Sequence, residues 1–208
     1  MTARMTPANA ARSTVVMLID SYMPEYDVSE RHHTRVAASR EATYAALWTA
    51  DLANASMARM LLALRALPGA LGHGVSGVRT LWERGAKPIT LATILERGFR
   101  VLAELPPTEL VIGVEGQFWR ATGNLCTPPV TEFRSQPPAP GTARGVWNFH
   151  LRSLAGGTTE LTTETRVQCA DAGVRRRFLP YWYAIRPASG MIRHALLREI
   201  RRSAEKAV

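Results

Sequence analysis

Apolar residues recur at every second position through the later part of the chain and then, almost without interruption, at every third or fourth. From Arg144 to Leu154, Trp147, Phe149 and Leu151 alternate with Asn148, His150 and Arg152. After Ala155-Gly156-Gly157, the stretch Thr158 to Cys169 sets Leu161, Thr163, Thr165, Val167 and Cys169 against Glu160, Thr162, Glu164, Arg166 and Gln168. A period of two belongs to a strand with one inward face, so the pattern predicts a hairpin with an apolar-to-hydroxyl side and a charged side. Glu164 and Arg166 fall on the charged side and read as an outer cross-strand charge pattern.

The period then lengthens. Phe178, Trp182, Ile185, Ser189, Ile192, Leu196 and Ile200 lie three or four apart within Asp171 to Lys206, while arginines fill the other side. This is the signature of a long amphipathic helix. Asp171 is placed to cap it, and Arg198, Arg201, Arg202 and Lys206 suit its C-terminal dipole. Pro180 favours a first turn and offers an alternative start. Unbroken, such a helix is roughly 50 Å long, against a radius of gyration near 17 Å for a compact domain of this size. Pro187 and Gly190 therefore predict a kink between Arg186 and Gly190.

The earlier chain carries weaker patterns. Val28 to Ala37 alternates, with Val28, Glu30, His32, Thr34 and Val36 as the inward set. Ser39 caps a predicted helix through Thr49 whose buried stripe is Tyr44, Leu47 and Trp48. A second apolar helix, Ala55 to Leu67, stops at Pro68-Gly69. Leu71 to Pro88 is irregular; its Gly72 to Gly77 run matches GxGxxG but follows a helix instead of a strand, and Ser76 lacks the last glycine of a nucleophile elbow, so both read as loop. Thr90 to Glu96 predicts a short helix stopped by Gly98. Phe99 to Leu105 and Glu109 to Trp119 predict strands around a Pro106-Pro107 turn, Val130 to Arg134 a short strand, and Pro137 to Pro140 a stiff loop.

Composition narrows the class. The chain has 208 residues, 46% hydrophobic and 21% charged, which suits one sizeable core. No uninterrupted apolar stretch approaches the roughly 18 residues of a spanning helix. Two cysteines, Cys126 and Cys169, supply neither a disulfide framework nor a metal pair, so the expected setting is cytoplasmic and no cofactor is implied. The formal charge of +9 is carried almost wholly by arginine, since Lys87 and Lys206 are the only lysines. Without an aromatic-basic strand face or a helix-turn-helix pattern, no specific nucleic-acid partner is expected.

The order strand, two helices, antiparallel strands and closing helix resembles the START and Bet v1-like superfamily (SRPBCC), which includes polyketide cyclase-like proteins. The segments WNFHL, GGTTELTTETRV, RRRFLPYWYAIRPASGMIR, ELVIG and FWR carry the resemblance, which spans Met17 to Ala204. It implies an α+β helix-grip fold: a curved antiparallel sheet wrapped around a long kinked C-terminal helix, with two short helices after the first strand. Residues 1–16 then form a flexible N-terminal tail and 17–208 a single helix-grip domain. The resemblance also implies a cavity between sheet and helix that takes a hydrophobic small molecule or lipid.

The inward aromatics and hydroxyls Trp147, Phe149, Thr163, Thr165, Trp182 and Ile192 suit the wall of such a pocket, although any single aromatic is more often plain core. His32 and Glu30, two apart on one strand, point the same way and form a weak catalytic pair for a cyclase or dehydratase-like alternative. The other histidines, His33, His73, His150 and His194, show no metal-ligand spacing. A further alternative is a peripheral binder of anionic membrane or nucleic acid using Arg175, Arg176, Arg177, Arg193, Arg198, Arg201 and Arg202.

Overall fold

A computed structural model describes residues 17–51, 90–96, 98–120, 124–126 and 128–207. The expected tail over residues 1–16, the second helix at Ala55 to Leu67 and the glycine-rich stretch Leu71 to Pro88 lie outside the described residues. The elements are α1 (Leu18–Tyr22), β1 (Val28–Val36), α2 (Arg40–Thr49), α3 (Leu91–Leu95), β2 (Arg100–Leu105), β3 (Glu109–Gly116), α4 (Val130–Ser135), β4 (Ala143–Ser153), β5 (Thr159–Cys169) and α5 (Ala172–Lys206).

The fold is α+β. Five strands form one curved, open sheet in the order β1-β5-β4-β3-β2, with every neighbouring pair antiparallel. Strands β2 to β5 lie side by side in chain order, β3 and β4 being joined through α4, and β5 closes the series by pairing with β1. Between β4 and β5 the turn puts Gly156 and Gly157 at φ 73° and 69°, a region a residue with a Cβ enters only with strain.

Register fixes which side chains share a face. One row across the sheet runs Glu30, Thr165, Trp147, Ile112, and the next runs His32, Thr163, Phe149, Leu110. These rows face α5, which packs against β1, β5 and α2. Ser39 caps α2 by accepting from the Ala42 N–H, and Tyr44 and Leu47 are buried as the pattern predicts.

Asp171 caps α5, its Oδ1 accepting from the Gly173 and Val174 N–H groups at 2.7 and 2.8 Å. The helix therefore starts at Ala172 and runs 35 residues unbroken through Pro180, Pro187 and Gly190. The alternative start at Pro180 does not occur. Both prolines are exposed, as are Arg176 and Tyr183, whose carbonyls lose their helical partners. Water can satisfy those carbonyls, so the substitutions cost less than they would on the packed side.

The sheet-facing side of α5 is buried in two separate groups. Val174, Phe178 and Trp182 pack with Val28, Ala143 and Val167. Ile192, Leu196, Leu197 and Ile200 join Trp147, Phe149, Leu110 and Leu161, together with Tyr44 and Leu47 of α2. At about 1.5 to 3 kcal/mol for each fully buried large apolar side chain, these groups hold both ends of the helix to the sheet. Between Trp182 and Ile192 no residue of α5 is fully buried.

The opposite face is also covered. There α1 and α4 bury Met17, Ile19, Met23 and Phe133 against Leu102, Val111 and Val146. This corrects two expectations. Val130 to Arg134 is helical, not a strand: Phe133 anchors it, packed so close over Gly113 that a Cβ there would lie 2.6 Å from the ring. Glu164 and Arg166 are on the predicted face but not on the outside. Arg166 donates to Glu164 at 2.6 Å, pairs with Asp20 at 2.8 Å and donates to the Met23 carbonyl at 2.9 Å, and both residues are buried. Strand β3 ends at Gly116, short of the predicted Trp119.

Candidate functional site

Where α5 has its gap in burial, the sheet presents Glu30, His32 and Thr165. Alternation along β1 turns Glu30 and His32 to the same side, and the antiparallel register sets Thr165 directly across from Glu30. His32 Nε2 and Glu30 Oε1 are 3.1 Å apart, the ring nitrogen donating to the carboxylate. Their side chains keep only 15% and 9% exposure.

The second carboxylate oxygen has no such partner. Among the described residues three buried side-chain polar atoms are unpaired, and two of them are Glu30 Oε2 and Thr165 Oγ1. They belong to cross-strand neighbours. Leaving a buried polar atom unmet costs about 1 to 3 kcal/mol, and more for a carboxylate oxygen, so two in one place is unusual for packing alone.

The helix contributes three residues. Gly190 lies over the pair, and a Cβ on it would come within 3.2 Å of Glu30 Oε1 and 3.6 Å of the His32 ring. Arg193, one turn on, holds its guanidinium 4.2 Å from the centre of the Trp147 ring. Burial pushes its pKa down to about 10, against the pull of the Glu30 carboxylate, so it remains a cation at neutral pH. His194 is exposed and meets His32 edge to face at 4.7 Å, linking the buried pair to the surface.

The predicted pocket residues divide. Trp147, Phe149 and Ile192 share one apolar group, with the two rings 4.8 Å apart, whereas Trp182 belongs to the other group, beside Phe178. Thr163 is engaged: its hydroxyl accepts from the Trp147 indole N–H and donates to the Asn148 carbonyl at 2.8 Å. Thr165 is the inward hydroxyl left free. Gly190, Arg193 and His194 were not among the sequence candidates for this site; the signal for them was the polar break at Ser189 and Gly190 in an otherwise apolar helix side.

The proposed anionic-surface arginines are differently disposed. Arg193 is drawn onto Trp147, while Arg175 pairs with Asp27, Arg201 with Glu205 and Arg202 with Glu199. On the far face a recess of about 250 Å³ is lined by Glu115, Arg144, Cys126, Glu132 and Gln136. Its two buried charges serve one another. Arg144 donates to Glu115 at 2.8 Å and to the Gln136 carbonyl at 2.6 Å, and Glu115 accepts from Ala139 and Thr142. Among the described residues no helix is long and apolar enough to cross a membrane. No protein-family model, curated protein or solved structure matches the chain.

Proposed function

We propose that the chain binds a hydrophobic or amphipathic small molecule between the sheet and α5, at Glu30 and Thr165. The observation that carries this reading is the pair of buried, unpartnered oxygens, Glu30 Oε2 and Thr165 Oγ1, set between two apolar groups. A ligand site needs such a mixture: apolar walls for affinity and a few unspent polar atoms for orientation. The resemblance to the START and Bet v1-like superfamily carries the same expectation, and on that basis the sheet grips α5 around the ligand. Titration with 12-bromododecan-1-ol tests it, because bromine quenches nearby indole fluorescence. Saturable quenching that is largely lost in Trp147→Phe supports the reading; quenching that does not saturate contradicts it.

A second reading has its own observation. The His32–Glu30 hydrogen bond of 3.1 Å faces α5 and not the solvent. A carboxylate that fixes the imidazole in one tautomer prepares it for general acid–base work in a cyclase or dehydratase-like reaction. Its test is mass spectrometry of the ligand recovered from the protein's own host. A product that accumulates with wild type and fails to form with His32→Gln, which still retains the ligand, supports catalysis. An unchanged ligand with both proteins contradicts it.

A further inference from the structure

We infer that the site selects a neutral ligand whose polar end is a hydrogen-bond donor, an apolar alcohol or N–H compound, over an apolar carboxylate or a molecule that only accepts. The inference rests on the binding reading above and goes one step past it, to the chemistry of the ligand's polar end.

Both unspent atoms are oxygens, and of the two only the Thr165 hydroxyl can also donate, whereas Glu30 Oε2 cannot; among the described residues the third unpaired atom, Arg40 Nε, sits on α2. An ionised carboxylate only accepts, and Glu30 already takes the His32 N–H on its other oxygen. Glu30 Oε2 can therefore be satisfied by a group that brings a hydrogen. The Thr165 hydroxyl can accept as well as donate, so the two flanking oxygens can hold one ligand hydroxyl, which gives its proton to Glu30 and receives the Thr165 proton.

Charge settles the rest. The Glu30 carboxylate and the Arg193 guanidinium bring one charge of each sign to the same interface, and the field of Glu30 reaches Arg193. A ligand carboxylate placed at Glu30 Oε2 would meet a like charge at contact range, which disfavours binding there, while the Arg193 guanidinium is held over the Trp147 ring. A neutral donor meets no such repulsion. An ether of the same length fills the same apolar space but offers Glu30 no hydrogen, and leaves that oxygen as costly as it was.

Competition against bound 12-bromododecan-1-ol, with the intact chain, separates these cases. The competitors are dodecan-1-ol, 1-methoxydodecane and dodecanoate, read by recovery of indole fluorescence at neutral pH. The alcohol is expected to displace the probe at about one tenth the concentration needed for the ether or the acid, the effect of one hydrogen bond to a charged acceptor. In Glu30→Leu, with folding checked by circular dichroism, that preference should shrink to about twofold or less. Equal potency of alcohol and ether, or a preference for dodecanoate, overturns the inference while leaving the binding reading standing. Failure of the bromo-alcohol itself to bind overturns both.

Discussion

A Cβ placed on Gly190 would lie 3.2 Å from Glu30 Oε1, so the middle of α5 meets the sheet at a carboxylate and not at an apolar side chain. Glycine weakens a helix interior by about 1 kcal/mol relative to alanine. Its presence here lets the backbone come close to the Glu30–His32 pair. Gly190→Ala is expected to unfold within about 1 kcal/mol of wild type, the gain in helix propensity offsetting the crowding. Gly190→Leu should lose about 2 kcal/mol or more through overpacking. Urea unfolding checks both, and a fully tolerated leucine would show that the helix does not rest on Glu30.

Thr163 joins the inner wall to the strand backbone. Its hydroxyl accepts from Trp147 and donates to the Asn148 carbonyl. Thr163→Val keeps the shape and strands a buried indole N–H, so it should cost about 1 to 3 kcal/mol. Thr165→Val, which removes an oxygen that has no partner, should be neutral or stabilising in the unliganded protein. The opposite signs of these two neighbours can be read from one set of denaturation curves.

Arg166 ties the far face together through Glu164, Asp20 and the Met23 carbonyl. Arg166→Leu leaves Glu164 buried without its cation and should cost about 3 to 5 kcal/mol. The double variant Glu164→Gln with Arg166→Leu should recover a large part of that loss. Equal destabilisation of the single and double variants would show that the pair does not act as a unit.

His150 supplies a pH dependence away from the site. Burial pushes its imidazole below the ordinary histidine value, with Glu109 pulling it up and Arg31 and Arg152 pushing it down. A histidine whose folded-state pKa is lowered favours the neutral ring in the native state. Its contribution is fully present above the unfolded pKa and is lost as pH falls from about 6.5. His150→Gln should therefore flatten the fall in stability between about pH 7 and 5. Parallel wild-type and variant curves over that range would assign the acid sensitivity elsewhere.

The terminal hairpin, the Asp171 cap and the inward turn of Glu30, His32 and Thr165 were legible because strand alternation and capping are local rules that burial on one face reinforces. Alternation tells which residues share a face, not what later covers it. Glu164 and Arg166 were thus assigned to the right side of β5 but not to the space beneath α1. Val130 to Arg134 was expected as a short strand, whereas the contact of Phe133 with Gly113 and Leu102 decides for a helix. Gly190 and Arg193 sit at the margins of the apolar side of α5, where periodicity alone does not say that a residue turns inward.

The most direct measurement is a crystal structure of the full chain grown with 12-bromododecan-1-ol, using the anomalous signal of bromine. The predicted result is a hydroxyl about 2.7 Å from both Glu30 Oε2 and Thr165 Oγ1, with the bromine among the apolar side chains near Trp147. A single water bridging the two oxygens, with no bromine between sheet and α5 at saturating ligand, would contradict the account.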